Sequence, residues 1–158
     1  MDIPAKARAV IIGGGVVGCS IAYHLGKLGW TDVVLLERKQ LTCGTTWHAA
    51  GLIAQLRATQ NMTRLAKYSQ ELYFGLEEET GVATGFKRNG SITVALTDER
   101  MEELRRSAAM ARAFGVEIDE ISPSDIQSRY PGLTVDDAVG GVWLPKDGQA
   151  DPVNITQA

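Results

Sequence analysis

The sequence has few of the residues that hold metal ions or build disulfide frameworks. Only two cysteines and two histidines occur among its 158 residues. Cys19 and Cys43 do not have the spacing of zinc ligands, and two thiols do not make a disulfide framework. We therefore expect no metal site, and a reducing compartment.

Long apolar runs and a surplus of basic charge are also absent. Residues 9–18 are apolar, but glycines interrupt them, and they are shorter than the roughly 18 residues that a membrane helix needs. The net charge of −3 provides no basic field that would attract nucleic acid or an anionic membrane. The composition predicts a soluble protein with no nucleic-acid or membrane partner, in the cytoplasm or, in a eukaryote, the mitochondrial matrix.

Glycine, in contrast, is abundant, and the first glycine cluster lies between two regular patterns. The apolar, β-branched residues at 7–12 predict a strand buried on both faces. Helical spacing follows over residues 16–28, and a second apolar strand is predicted over 33–36. The helical pattern places on one face Val17, Ile21, Leu25 and Leu28. Strand, glycine turn, helix and parallel strand form a βαβ unit.

The glycine turn has the spacing of a dinucleotide-binding motif, Gly13-x-Gly15-x-x-Gly18. Gly13 permits the tight turn, Gly15 lets the backbone approach a pyrophosphate, and Gly18 lets the helix pack close to the strand. Glu37 ends the second strand, where a carboxylate accepts hydrogen bonds from ribose hydroxyls and repels a 2′-phosphate. The spacing predicts binding of the ADP half of FAD or NAD and disfavours NADP.

Beyond residue 60 the pattern mixes helices and strands without a repeat. A helix is predicted over 62–79, with one face formed by Leu65, Tyr68, Leu72 and Leu76. Further strands are predicted over 87–96, 117–121 and 139–144, and helices over 98–114, from Ser122-Pro123, and from Asp151-Pro152. The last helix pattern is still running at Ala158, which is typical of an N-terminal fragment.

A specific resemblance appears directly after Glu37-Arg38. Residues 41–52 read Leu-Thr-Cys-Gly-Thr-Thr-Trp-His-Ala-Ala-Gly-Leu, and residues 145–152 read Pro-Lys-Asp-Gly-Gln-Ala-Asp-Pro. Both segments resemble the dimethylglycine and sarcosine dehydrogenases of the glycine-oxidase and D-amino-acid-oxidase-like superfamily. The resemblance implies an α/β fold: a Rossmann-like FAD-binding βαβ domain of the glutathione-reductase type, then the beginning of an α+β substrate domain.

That resemblance also implies a domain organisation. Residues 1–61 would be the N-terminal part of the FAD-binding domain, 62–144 the first part of the substrate domain with its connections, and 145–158 a truncated return into the FAD-binding domain. We expect such a fragment to be inactive by itself.

The resemblance favours FAD over NAD, because a Gly/Thr loop follows Glu37 where NAD folds proceed to another βα unit. It implies a cofactor site made by Gly13, Gly15, Gly18, Glu37, Arg38, Thr45, Thr46, His48, Gly51 and Leu52. His48 would carry FAD covalently through the flavin 8α-methyl carbon, the alternative being an unmodified pocket histidine. Thr45 and Thr46 would donate to the pyrophosphate or ribityl chain, or shape the loop. Arg57 would hold a substrate carboxylate, or be an ordinary surface arginine.

The activity that the resemblance implies is oxidative demethylation of a small N-methylated amine such as dimethylglycine or sarcosine. Electrons would pass to an electron-transfer flavoprotein or to oxygen, and tetrahydrofolate would accept the released carbon in full-length members that carry a folate module. No residue is identified as catalytic. Three alternatives remain: another FAD-dependent amine or amino-acid oxidase, a non-enzymatic regulatory homologue, and an NAD-dependent dehydrogenase.

Overall fold

The computed structural model describes residues 4–158, which form two compact units. The first unit contains the described residues up to Gly51 together with 75–86 and 150–158, and the second contains 52–74 and 87–149. The helices are α1 Val16–Lys27, α2 Gln60–Thr80, α3 Asp98–Ala113, α4 Pro123–Arg129 and α5 Pro152–Gln157. The strands are β1 Ala9–Ile12, β2 Val33–Leu36, β3 Leu52–Ile53, β4 Ser91–Ala95, β5 Asp119–Ile121, β6 Gly140–Leu144 and β7 Gly148–Gln149. None of the helices in residues 4–158 has the length and apolarity to span a bilayer.

The first unit contains the predicted βαβ motif. Strands β1 and β2 pair in parallel, with Ile11 opposite Leu35, and α1 connects them. Gly29 follows the helix with a φ of 79°, a left-handed conformation that glycine adopts without strain. The second strand has the predicted bounds, and the first begins two residues later than predicted, at Ala9.

The prediction that β1 is buried on both faces is wrong. Ile11 is buried, but Val10 is 55% exposed and Ile12 is 87% exposed. The predicted apolar face of α1 is uncovered too, since Val17 and Leu28 are 70% and 74% exposed. An apolar pattern shows which side chains are suited to burial, whereas burial itself depends on distant segments, and residues 4–158 place none over this face.

The second unit is built on a three-stranded antiparallel sheet in the order β4-β6-β5. Helix α3 packs on it and begins at Asp98, as predicted. Its N-cap is Thr97, whose hydroxyl accepts a hydrogen bond of 3.2 Å from the Arg100 N–H. The buried core comprises Ala95, Met101, Leu104, Ala108, Ala111, Val116, Ile118, Val142 and Leu144. The strands and helices predicted for this region are confirmed, with shorter bounds.

Helix α2 exists as predicted but does not bury the predicted face. Leu76 is buried, whereas Leu65 and Tyr68 are more than half exposed. The side chains that are fully buried along this helix are instead polar, Thr63 and Gln70. Periodicity of apolar residues therefore did not identify the contacts that this helix makes.

A short ladder in the second unit was not predicted. Strand β3 pairs antiparallel with β7, which places Leu52 opposite Gln149 and Ile53 opposite Gly148. Gln149 also bridges Lys87, and a Cβ on Gly148 would lie 2.2 Å from the Lys87 carbonyl oxygen. Two-residue strands are too short to show an alternating pattern, so they escape sequence analysis.

Candidate dinucleotide-binding site

The glycine turn after β1 has a backbone that only glycine accommodates. Gly13 has a φ of 108°, and its N–H donates a 2.8 Å hydrogen bond to the Leu36 carbonyl at the end of β2. A Cβ on Gly18 would lie 1.9 Å from the Gly13 carbonyl oxygen. Because that distance is far below van der Waals contact, the helix packs against the turn only if residue 18 has no side chain.

The N-terminus of α1 is suited to an anion. Its N-cap is Gly15, which offers no side-chain acceptor, and the first turn contains no acidic residue. The positive end of the helix dipole is therefore not neutralised by the helix itself. The Val16 N–H donates a 3.0 Å hydrogen bond to Thr46 Oγ1, which also lies 3.0 Å from the position of a Cβ on Gly15. The predicted residue Thr46 is thus buried directly beside the helix start.

Glu37 is held on the same turn by backbone donors. Its Oε2 accepts a 2.8 Å hydrogen bond from the Gly14 N–H, and its Oε1 accepts one of 3.0 Å from the Lys39 N–H. These bonds, with the Gly14 bond as the larger cause, lower the pKa of Glu37 below its ordinary value of 4.5. The carboxylate is consequently ionised near neutral pH and can accept hydrogen bonds from ribose hydroxyls.

The loop that follows β2 is tied back to the glycine turn. The Thr42 N–H donates 2.8 Å to the Gly14 carbonyl, and Thr42 is the one non-glycine residue in the described chain with a positive φ, 70°. A β-branched residue in that conformation is uncommon and indicates that the surroundings hold the loop in place. The sequence does not signal this conformation, because a single Thr has no pattern that indicates a left-handed backbone.

Trp47 and His48 lie together in a 3₁₀ turn, Thr46–His48. Both side chains are exposed, and their ring centroids are 3.8 Å apart with an interplanar angle of 34°. Trp47 is 55% exposed and therefore does not fill the core of the first unit. The other histidine, His24, has its Nδ1 2.6 Å from the Ser20 carbonyl oxygen on α1.

Gly51 ends the loop at a close approach between two backbones. Its φ is 74°, and a Cβ there would lie 2.1 Å from the Ala150 carbonyl oxygen. The Ala150 N–H in turn donates 2.9 Å to the Gly51 carbonyl. The second resembling segment, residues 145–152, therefore meets the first one at Gly51.

The remaining predicted residues are placed differently. Arg38 and Thr45 are exposed residues of the first unit. Leu52 and Arg57 belong to the second unit, where they line a groove of about 280 Å³. Other residues lining that groove include Ile53, Met62, Leu65, Ser69 and Tyr73. Arg57 donates from Nη1 to the Leu56 carbonyl at 2.9 Å, and its side chain is exposed.

Within residues 4–158 no cluster of three or more His, Cys, Asp or Glu side chains is arranged to hold a metal ion. The site in the first unit offers instead a helix N-terminus whose first turn has no acidic residue, an ionised carboxylate and a hydroxyl. Those groups suit a pyrophosphate linked to a ribose, so the geometry defines a dinucleotide-binding βαβ unit.

Residues 8–158 match the family described as DAO, FAD dependent oxidoreductase, and the chain belongs to that family. Among curated relatives it is 44% identical to dimethylglycine dehydrogenase of Rattus norvegicus over 97% of the chain, and 43% identical to sarcosine dehydrogenase of Mus musculus over 95%. It is also 40% identical to a pyruvate dehydrogenase phosphatase regulatory subunit of Mus musculus over 99%. The chain spans only 16% to 18% of the length of these relatives.

A solved structure of L-proline dehydrogenase from P. horikoshii has the same fold. It matches with a TM-score of 0.90 and 31% identity over 98% of this chain and 41% of the other. The predicted α/β fold class is thereby confirmed. The Gly18 contact, the unneutralised start of α1 and the ionised Glu37 fit the ADP half of the FAD that defines the family.

Proposed function

We propose that this chain is part of an FAD-dependent oxidoreductase that oxidatively demethylates a small N-methylated amine such as dimethylglycine or sarcosine. The observation that carries the proposal is 43% to 44% identity to two dehydrogenases of such amines over nearly the whole chain. Bound FAD would supply the redox chemistry, accepting a hydride equivalent from the N-methyl carbon. The chain's own residues would hold the cofactor and orient the substrate.

The proposed cofactor site assigns a distinct role to each part of the first unit. The turn at Gly13, Gly15 and Gly18 brings the backbone to the pyrophosphate, and Glu37 accepts from the adenosine ribose. Thr46 Oγ1 accepts a hydrogen bond from the Val16 N–H, and its O–H would donate to a phosphate or ribityl oxygen. The other residues proposed for this site in the first unit are Arg38, Thr45 and Gly51, and the backbone would approach the flavin ring at Gly51. Leu52, the next residue, belongs to the second unit and is proposed as a further cofactor contact.

We further propose that Arg57 holds the substrate carboxylate. Its guanidinium has five N–H donors, and one of them, on Nη1, donates to the Leu56 carbonyl. The groove beside it is lined mainly by apolar side chains, which suits the methylated end of a small amino acid. Arginine also binds a carboxylate through two parallel hydrogen bonds, which fixes its orientation.

An anaerobic substrate panel on the full-length protein tests this function. We expect dimethylglycine or sarcosine to bleach the oxidised-flavin absorbance, while glycine betaine, which has no amine lone pair, does not. In an Arg57→Met variant the substrate concentration for half-maximal reduction should rise on the order of a hundredfold, with flavin content unchanged. Bleaching by proline or glycine alone would favour another amine oxidase of the family instead.

The covalent link to His48 is a separate part of the proposal. A neutral imidazole nitrogen is a nucleophile near pH 7, and His48 is exposed in the loop that follows Thr46. The sequence contains only two histidines, so His24→Ala is a matched control. After acid precipitation, flavin should remain in the pellet for the wild type and for His24→Ala. It should leave with the supernatant for His48→Ala. Release from the wild type would make His48 an ordinary pocket residue.

A second candidate function is regulation without turnover, and 40% identity to a phosphatase regulatory subunit favours it. Both candidates contain the same family fold, so the fold does not separate them. The substrate panel separates them: a regulator leaves its flavin oxidised with every amine tested. The presence of His48 in this chain supports the enzyme, since a regulator has no need of a flavin tether.

The proposal also covers the electron acceptor, the acceptor of the released carbon and the cellular location. We propose an electron-transfer flavoprotein or oxygen as the electron acceptor, and tetrahydrofolate as acceptor of the released carbon in the full-length protein. The mitochondrial names of the dehydrogenase relatives support a matrix location if the source is a eukaryote, and a cytoplasmic one otherwise.

A further inference from the structure

Asp147 is a buried carboxylate that the proposed function does not use. It is 3% exposed and lies in the second resembling segment, between β6 and β7. Its Oδ1 accepts a 2.9 Å hydrogen bond from the Gln55 backbone N–H, and its Oδ2 accepts one of 2.7 Å from the Ser91 hydroxyl. Both carboxylate oxygens are therefore committed to specific donors within the second unit.

Asp147 and Gln55 are also part of a ring of hydrogen bonds that includes Gln70 and the Lys146 carbonyl. The buried Gln55 side chain donates to the Oε1 of Gln70, and the buried Gln70 side chain donates to the carbonyl of Lys146, next to Asp147. The ring joins three segments: residues 52–57, helix α2, and the connection from β6 to β7. A buried polar ring of this kind lowers stability unless every polar group in it is hydrogen-bonded, and apolar side chains in its place often give a protein of equal stability. The value of the ring lies in fixing one arrangement of the segments it joins.

The segment that this ring fixes is the one that carries the groove. Gln55 lies between Ile53 and Arg57, which both line it. The far end is held as well, because the buried Thr63 hydroxyl accepts from the Arg57 N–H at 3.1 Å and donates to the Arg57 carbonyl at 3.2 Å. The backbone from Gln55 to Arg57 is thus clamped at two points, and Asp147 provides one of them.

We propose that Asp147 is a positioning residue that holds residues 52–57 so that the Arg57 groove is formed before a ligand binds. Its effect on substrate binding rests on the proposed function, whereas its effect on the segment does not. The segment is held by the position of the Asp147 oxygen that accepts from the Gln55 N–H, and not by the charge of the carboxylate. Asparagine at 147 keeps one oxygen for the Gln55 N–H, and its NH₂ donates to Ser91, whose hydroxyl turns to accept. Glutamate keeps the charge but moves the oxygens by one methylene.

Hydrogen exchange of peptides covering residues 52–57 in the full-length holoprotein tests the positioning directly. Asp147→Ala and Asp147→Glu should speed exchange in this segment on the order of tenfold or more, while Asp147→Asn stays near the wild type. Ser91→Ala, which removes only the Oδ2 partner, should leave the segment protected. Ile126→Val, a core change elsewhere in the second unit, controls for general loss of stability. If Asp147→Ala does not fold, the difference in exchange between Asp147→Glu and Asp147→Asn tests the positioning role in its place.

Steady-state kinetics separate positioning from a general structural role, because only a positioning role predicts a change in KM at nearly constant kcat. With the amine that the wild type oxidises, Asp147→Glu should raise KM on the order of tenfold with little change in kcat, and Asp147→Asn and Ile126→Val should not. If the wild type oxidises no amine, the proposed function fails while the exchange data still decide the positioning role. Unchanged exchange at 52–57 in the Ala and Glu variants, or an Asn variant as impaired as Ala, would overturn the inference.

Discussion

The two units of the chain differ in how their apolar side chains are used. The second encloses a core of nine buried apolar residues around α3 and its sheet. The first contains most of the residues proposed to bind the cofactor, yet it leaves Ile12, Val17 and Leu28 largely exposed within residues 4–158. The comparison shows that the geometry of a glycine turn is determined locally, by backbone conformation, whereas the burial of its flanking elements depends on distant parts of a chain.

The largest expected effect distinguishes a buried leucine from an exposed one. Leu104→Ala in the second unit should lower the free energy of unfolding by about 2 to 5 kcal/mol, because it removes packed methyl groups from a core side chain that is 5% exposed. Leu28→Ser in the first unit should change it by no more than about 0.5 kcal/mol. Denaturant titration of the 158-residue chain measures both. Equal losses would show that the α1 face is covered in solution.

A smaller and opposite pair of effects is expected for two glycines of α1. Gly18→Ala should cost about 1 to 3 kcal/mol and weaken FAD binding, since the added Cβ would lie 1.9 Å from the Gly13 carbonyl oxygen. Gly26→Ala meets nothing within 4 Å and should stabilise the helix by about 0.5 to 1 kcal/mol. Thermal unfolding and flavin content of the two variants check this. Tolerance of alanine at 18 would refute the close packing of α1 on the turn.

The smallest effect is a pH dependence at Glu37. Because its folded-state pKa is lowered, chiefly by the Gly14 N–H, its contribution is present above its ordinary value of 4.5 and is lost as the pH falls through the lowered value. Apo-protein stability should therefore decline on acidification less in Glu37→Gln than in the wild type. Acid titration followed by circular dichroism measures the difference. Identical titration curves would mean that the backbone bonds to this carboxylate do not form in solution.

Local signals explain what could be predicted from the sequence. The turn at Gly13, the start of α3 at Thr97 and the capping box in which Ser122 and Asp125 hydrogen-bond each other are each set by a few adjacent residues. Each of these residue types favours one local structure: glycine adopts a positive φ, and Ser, Thr and Asp accept hydrogen bonds from backbone N–H groups at a helix start. The βαβ unit follows from such signals, and so does most of the second unit's order of elements.

Non-local contacts explain what could not be predicted. The Asp147 carboxylate meets Gln55 across 92 positions of sequence, and no periodicity marks either residue. The pairing of β3 with β7 and the exposure of Leu65 on α2 have the same origin, since both depend on which distant segment packs nearby. Motif recognition thus identified the glycine turn of the first unit, but not the residues that support the groove of the second unit.

Flavin content of the purified full-length protein tests the central claim most directly. We predict the visible spectrum of an oxidised flavin, with one FAD per chain, and a loss of that FAD in Gly18→Ala but not in Gly26→Ala. A colourless protein that takes up no FAD on reconstitution would contradict the assignment of the glycine turn, Glu37 and Thr46 to a cofactor site.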